Sequence, residues 1–202
     1  MSSWEKYAGR ADGWSDEQYA DAHAYLTHRA KLVRTLGPAL QLGDTVLDLA
    51  CGDGGLADFL TGLRYIGVDA SEEMVAAGAA RGRTILHADL NDYEPPEPVQ
   101  ATTLFRAVYY ARDRRALFMH IRSYTERKLV FDLNPRQYRL EDVRADLRAA
   151  GFDRLDTRPF FVPQTRALPF LQALERSTFP ARLLLRFRFT LLCAASRRAG
   201  AS

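Results

Sequence analysis

Thr45-Val-Leu-Asp-Leu-Ala-Cys-Gly-Asp-Gly-Gly55 is the stretch on which the reading of this chain turns: an apolar run meets an acid and then a glycine-rich turn. Val46 and Leu47 predict a buried strand of a parallel sheet. Gly52 and Gly54 predict a turn whose backbone passes close to a ligand, where any Cβ would obstruct. Gly55-Leu-Ala-Asp-Phe-Leu60 predicts the opening of a helix directly after it. A strand, a glycine turn and a helix in that order read as a site for a nucleotide-type ligand.

The glycines alone do not choose the ligand. Dinucleotides and S-adenosylmethionine use the same pattern, and Gly52-Asp-Gly-Gly-Leu-Ala57 satisfies the dinucleotide fingerprint, which tolerates Ala in third place. The acids discriminate. Asp48 stands just before the turn, where it would repel a pyrophosphate but meet the cationic aminoacyl end of S-adenosylmethionine. Asp69 closes Tyr65-Ile-Gly-Val-Asp69, at the distance where a carboxylate takes two ribose hydroxyls. Asp89 ends Thr84-Ile-Leu-His-Ala-Asp89, next to where an adenine would lie. Asp48 and Asp89 count against a dehydrogenase.

These residues resemble the class I S-adenosylmethionine-dependent methyltransferases. Val46-Leu-Asp-Leu-Ala-Cys-Gly-Asp-Gly54 is similar to the first motif of that family, Val68-Asp-Ala-Ser-Glu-Glu-Met74 to the second and the short Ala88-Asp-Leu90 to the third. The resemblance runs from about 45 to about 151, with looser agreement in strand order beyond. It implies an α/β, Rossmann-like three-layer sandwich around a seven-stranded, mostly parallel sheet. The last strand would insert antiparallel between the fifth and sixth. It further implies that Asp48 and the backbone around Ala50, Gly52 and Gly54 hold the methionine moiety, Asp69 the ribose, Ala70 and Met74 the adenine face, and Asp89 with Leu90 the adenine edge.

Each residue also has a plain structural reading. Asp48 or Asp89 would serve as a helix N-cap, Gly52 and Gly54 as an ordinary tight turn, and Met74 as core filling. Such readings do not explain why acids recur at three successive strand ends, the edge at which open α/β sheets bind ligands.

Composition agrees. The chain has 202 residues and is 47% hydrophobic, enough for one α/β domain with a proper core and too short for two. Met1-Ser-Ser-Trp-Glu-Lys6 lacks a basic region followed by an apolar stretch, and no run reaches the length of a membrane span. Two cysteines, Cys51 and Cys193, and four histidines without ligand spacing point to neither a disulfide framework nor a metal site. A cytoplasmic location is expected. Residues 1–100 hold 8 Lys+Arg against 16 Asp+Glu, a balance of −8, whereas residues 101–202 hold 20 against 9, a balance of +11. The arginines of the second half are interleaved with acids at helical spacing, as in Leu140-Glu-Asp-Val-Arg-Ala-Asp-Leu-Arg148, and read as a solvated face. No nucleic-acid-binding module is recognisable.

Along the chain, residues 1–44 form an N-terminal helical segment, with a helix from Ser15 or Asp16 to Val33 whose apolar stripe is Tyr19, Ala22, Leu26, Ala30 and Val33. Gly37-Pro38 breaks it. Residues 45–202 form the ligand-binding domain. Further strands are expected near Ala101–Arg106 and Lys128–Asn134, with helices near Arg114–Arg122 and Leu140–Ala150, the latter closed by Gly151. The sixth and seventh strands are expected at 154–163 and 185–195, with a helical insertion at about 164–184 between them.

In the family this chain resembles, the segment before the first strand commonly forms a lid. Tyr7, with Trp4, Trp14 and Tyr19, supplies aromatic surface for it, and Arg29 is placed to reach the cofactor carboxylate. The loop after the fourth strand would face the methyl group, which makes Arg106, Tyr109 and Tyr110 the acceptor-side candidates; Asn134 and Arg136 join them. Phe105-Arg-Ala-Val-Tyr-Tyr110 departs from the usual pattern, in which a small or polar residue and a histidine often occur. Arg106 would bind a carboxylate or phosphate, and a tyrosine would orient or deprotonate a hydroxyl or simply pack over the cofactor. The expected activity is methyl transfer from S-adenosylmethionine to an O or N atom of a small-molecule acceptor, an anionic one if Arg106 meets it. The alternatives are a protein or nucleic-acid methyltransferase, or a cofactor-binding module without catalysis.

Overall fold

The computed structural model describes residues 22–160 and 190–197. Helix α1 spans Ala22–Thr35, and strand β1 spans Thr45–Leu49. Then follow β2 (Arg64–Asp69), α2 (Glu72–Ala80), β3 (Ile85–His87), β4 (Val99–Leu104) and α3 (Arg114–Tyr124). The chain continues through β5 (Thr125–Leu133), α4 (Leu140–Ala149), β6 (Arg154–Phe160) and β7 (Thr190–Ser196).

The seven strands lie in the order β3-β2-β1-β4-β5-β7-β6. Strands β1 to β5 pair in parallel, and β7 runs antiparallel between β5 and β6. This is the sheet expected from the sequence, down to the inserted last strand. The chain direction reverses after β1 toward β2 and β3 on one side, and toward β4 and β5 on the other. That reversal opens a crevice at the carboxyl ends of β1 and β4, where such sheets take ligands.

Two apolar layers cover the sheet. On one face Leu117, Phe118 and Ile121 of α3, with Val143 and Leu147 of α4, pack on Leu47, Leu49, Leu129 and Phe131. On the other, Leu26, Ala30 and Val33 of α1 pack on Val46, Ala101, Val130 and Leu192. The stripe Leu26, Ala30, Val33 is therefore the buried side of α1, as its spacing predicts. Gly151, at φ +89, ends α4 as a left-handed cap, with its own N–H donating to Arg148 O and the Phe152 N–H to Leu147 O.

Three local expectations change. Gly55–Leu60 does not open an α-helix; Gly55–Phe59 is a 3₁₀ turn between Gly54 at φ 72 and the turn at Gly62, at φ 78. Glycines in left-handed conformation at both ends leave room for little more than one turn before β2 begins at Arg64. Helix α2 is absent from the expectations above, although its signal is local: Ser71 caps it by accepting the Met74 N–H at 3.3 Å, with Glu72 and Glu73 in the first turn. Helix α1 runs two residues past the expected end at Val33 and stops before Gly37, at φ 69. The insertion at 164–184, Tyr7, Trp4, Trp14 and Tyr19 lie outside the described residues.

Lys128, at the start of the parallel run of β5, is fully buried. Its Nζ donates to Arg34 O at 3.2 Å and Leu36 O at 2.8 Å, capping the carboxyl end of α1 and pinning that helix to the sheet. Burial pulls the amine down to about 8, with Arg127 adding repulsion. Lys128→Ala strips the stem and takes the ammonium donor from Leu36 O, while Arg34 O keeps the Leu40 N–H at 3.0 Å. A loss of roughly 2–4 kcal/mol, read as a lower urea midpoint, is expected.

Candidate active site

Strand β1 delivers its acid into the crevice and then turns away. Ala50 sits at φ 54, a left-handed conformation rare for a residue with a Cβ, followed by Gly52 at φ 61 and Gly54 at φ 72. The Cys51 N–H donates to Val68 O at 3.0 Å, and the Gly52 N–H to Asp69 Oδ2 at 2.7 Å, so the turn is stitched to β2. Asp53 anchors it from behind through Arg81 and Arg83, each 3.4 Å from Asp53 Oδ2. Ala50→Val adds methyls to a left-handed residue that lines the crevice. It is expected to cost roughly 1–3 kcal/mol in urea unfolding and to weaken ligand titration, whereas Ala50→Gly preserves both.

A cavity of about 200 Å³ occupies the crevice. Asp48 lines it from β1 and Ala50 and Gly52 from the turn after it, Asp69, Ala70 and Met74 from the end of β2 and α2, and Asp89 and Leu90 from the turn after β3. Arg29 lines it from α1, and Arg106, Tyr109 and Tyr110 from the segment after β4. All the described candidates except Gly54, Asn134 and Arg136 thus converge on one space. Gly54 lies behind the wall; a Cβ there would stand 3.1 Å from Ile85 Cδ1. A second cavity of about 120 Å³ shares Arg106 and Tyr109 with the first and is lined further by Asp132, Asn134 and Tyr138. Arg136 is not among its lining residues.

Asp48 is buried, accepting from Thr103 Oγ1 at 2.5 Å and Tyr65 OH at 2.8 Å. Burial pushes its carboxyl up to about 6, against the pull of these hydroxyls and of Arg29. Asp69 is also raised by burial, while its Oδ1 takes the Ser71 N–H at 2.9 Å and its Oδ2 the Gly52 N–H. Each oxygen keeps a lone pair for a ligand. Asp89 is held low despite partial burial: Asn91 donates to Oδ1 from its backbone and its side chain, and Arg112 Nη2 to Oδ2 at 2.9 Å. Its carboxylate is thus a hinge for the loop as well as a wall. Burial, reinforced by Asp48 and Asp69, keeps the Cys51 thiol well above its ordinary value, so Cys51 is a protonated wall residue and not a nucleophile.

Arg29 is buried between the Tyr25 and Phe105 rings, its guanidinium carbon 4.5 and 4.1 Å from their centroids. It also stands 3.6 Å from Asp132 Oδ2. Asp132 Oδ1 receives the Arg106 N–H at 2.5 Å, which holds Arg106 at φ 51. Tyr109 OH donates to Tyr110 OH at 3.3 Å, with ring centroids 4.3 Å apart. The sequence reading missed Asp132, Tyr65 and Phe105. Tyr65 had a signal, as a residue of the strand ending in Asp69, and Asp132 had one, as an acid near the carboxyl end of the expected strand Lys128–Asn134; Phe105 stood beside the candidate Arg106.

Residues 46–128 match the family described as "Methyltransferase domain". This segment belongs to that family. Among solved structures, the domain and its flanks are similar to a chain from the complex between the Haloferax volcanii Trm112 methyltransferase activator and a methyltransferase, with TM-score 0.69, 20% identity, and 98% of each chain covered. A Clostridium acetobutylicum S-adenosylmethionine-dependent methyltransferase follows at TM-score 0.63 and 14% identity, with 96% of this chain and 98% of that one covered. The Synechocystis magnesium protoporphyrin IX methyltransferase with bound S-adenosylmethionine gives TM-score 0.59 and 20% identity, over 87% of this chain and 76% of that one. At these identities the likeness is one of fold. No curated protein matches the chain in sequence.

S-adenosylmethionine goes with methyltransferase domains of this fold, and the residues present fit it. The buried Asp48 carboxylate is a group that a cationic ligand end would satisfy, Asp69 keeps an acceptor lone pair on each oxygen, and Met74, Ala70 and Leu90 supply apolar lining. Among the described residues no His, Cys, Asp and Glu cluster could hold a metal, both cysteines are free thiols, and no helix is long and apolar enough to cross a membrane.

Proposed function

We propose that the protein transfers a methyl group from S-adenosylmethionine to an O or N atom of a small-molecule acceptor. One observation supports this most: three acids and a glycine turn line one cavity together with Arg106, Tyr109 and Tyr110, and Arg106 and Tyr109 also line a second, smaller space. When bound, the sulfonium supplies a strongly electrophilic methyl carbon. The chain's own part is then to bind, aim and keep water out. Asp48 holds the ammonium end, Asp69 the ribose, and Met74 and Leu90 the adenine, leaving the acceptor to be placed from the side of Tyr109 and Tyr110. Arg106 favours an acceptor carrying a carboxylate or phosphate.

The basic second half does not argue for nucleic acid. Among the described residues several of its arginines are paired with acids, Arg114 and Arg115 with Asp146, Arg112 with Asp89 and Asp92, and Arg154 with Asp156. A second reading, favoured by the Haloferax complex, is that activity requires a protein partner.

Calorimetric titration with S-adenosylmethionine, S-adenosylhomocysteine and NAD tests the cofactor, and incubation with methyl-labelled cofactor and size-fractionated cell extract tests the acceptor. Micromolar binding of the first two and label in the low-mass fraction are expected. Binding of NAD alone, or of none, would sink the assignment. Label only in protein or nucleic acid would replace the small-molecule acceptor with a macromolecular one. Cofactor binding without transfer would favour the partner reading.

A further inference from the structure

We propose that Asp132 takes the proton from a hydroxyl-bearing small molecule seated in the second cavity, and that Arg29 links its readiness to occupancy of the first. The inference rests on the methyltransferase reading above and names a group that reading leaves idle.

Asp132 lies near the carboxyl end of β5 and is among the residues that line the second cavity. Arg106 and Tyr109 line both cavities, so the two spaces meet at that wall. Asp132 is thereby placed across the shared wall from the cofactor space, on the side from which an acceptor would approach. A carboxylate at such a place suits a hydroxyl acceptor, because the hydroxyl proton must leave as the new bond forms. In the balanced step, the acceptor oxygen's lone pair forms the O–C bond to the methyl carbon. The C–S bond breaks with its electron pair staying on sulfur, which becomes a neutral thioether. The O–H proton passes to Asp132, which becomes a carboxylic acid and later returns the proton to solvent.

Arg29 bridges the two spaces. It lines the first cavity, and it is the cation facing Asp132 from α1, at 3.6 Å. The other groups facing Asp132 are Arg106 after β4, through its N–H and its charge, and Cys193 of β7, whose thiol Asp132 helps to push up. Tyr109 and Tyr138 complete the wall. Burial raises Asp132, and Arg29 is the strongest influence holding it down. A cofactor carboxylate entering the first cavity competes for Arg29. As the guanidinium turns to it, Asp132 loses that hold and becomes a stronger base only when the methyl donor is in place.

The test compares the full-length wild type with Asp132→Asn, whose amide oxygen still accepts the Arg106 N–H. S-adenosylhomocysteine is titrated calorimetrically at about pH 6 in buffers of differing ionisation enthalpy, which counts protons taken up on binding. Arg29 also holds down the Asp48 carboxyl, so both proteins carry Asp48→Asn in this titration, and the difference in proton count then belongs to Asp132. The variant is expected to bind at least as tightly as the protein carrying Asp48→Asn alone, with a lower net proton uptake. Labelled-methyl transfer to the low-mass extract fraction is expected to fall by about 100-fold or more and to lose its acidic limb in the pH profile. Equal proton counts, or transfer that keeps its rate and acidic limb, overturns the proposal. Should Asp132→Asn not fold, Arg29→Gln in the same Asp48→Asn background reads the coupling: its proton count must drop likewise, and an unchanged count overturns the proposal. Failure of the wild type to bind S-adenosylhomocysteine at all is the distinct signature of a wrong cofactor reading, and Asp132's role falls with it.

Discussion

Asp69→Ala is expected to lose at least about 100-fold in affinity for S-adenosylhomocysteine. The carboxylate accepts two backbone N–H groups, from Gly52 and Ser71, and keeps a lone pair on each oxygen toward the cavity. Two hydrogen bonds from ribose hydroxyls to a charged acceptor contribute roughly 1.5–3 kcal/mol each, and about 1.4 kcal/mol is a factor of ten. The substitution also frees the Gly52 N–H, so the glycine turn loses its tie to β2 and the site loosens as well as losing a contact. Asp69→Asn separates the two effects. Its amide oxygen retains one of the N–H bonds, so the variant is expected to fold with nearly wild-type stability and still bind weakly. Calorimetry on both, with urea unfolding beside it, checks this; Asp69→Ala protein with unchanged affinity would remove Asp69 from the ribose site.

Asp48→Asn is expected to stabilise the ligand-free protein while weakening the cofactor. Asp48 is buried, and its carboxyl is raised from 3.8 to about 6 by that burial. Between these two pH values the folded protein retains a proton that the unfolded chain has released. Stability contributed by this group is therefore complete below about pH 4 and lost as pH rises through about 6. The full cost of ionising Asp48 in place is at most about 3 kcal/mol. An amide avoids it and still pairs with the Thr103 and Tyr65 hydroxyls, each of which donates or accepts. The melting temperature of the variant should match wild type near pH 4 and exceed it by up to roughly 6–12 °C above about pH 6. Affinity for S-adenosylhomocysteine should drop by about 10–100-fold, since a neutral amide cannot pair with the ammonium. In the wild type that affinity should itself weaken as pH falls below about 6. A variant no more stable than wild type at neutral pH would show that Asp48 is already satisfied without a ligand.

The legible part of the fold was carried by short-range pattern. Val46 and Leu47 lie in a strand with every residue buried, and the strand ends at Asp48, Asp69 and Asp89 all reach one cavity. These succeeded because strand, turn and acid are contiguous in sequence, so the sheet only has to stack them side by side. The order β5-β7-β6 came from resemblance, since nothing local in Thr190–Ser196 announces its neighbours. The helix expected at Gly55–Leu60 failed for a competing local reason, the left-handed glycines that bracket it. Gly54, placed with the cofactor residues by its motif position, is not among the residues that line the cavity, and a Cβ there would meet Ile85.

By itself, the sequence determined the acids at the strand ends, the glycine turn between them, and the apolar stripe of α1, because each depends on spacing within a dozen residues. Tertiary structure alone decided the partnerships. Lys128 caps α1 from 94 positions away at Arg34, Asp132 meets both Arg29 and the Arg106 N–H, and Phe105 stacks on the same guanidinium. A buried charge takes whichever partner the packed layers bring within reach, and that choice is made when α1 is laid across β4 and β5, not when the residues are written in the chain.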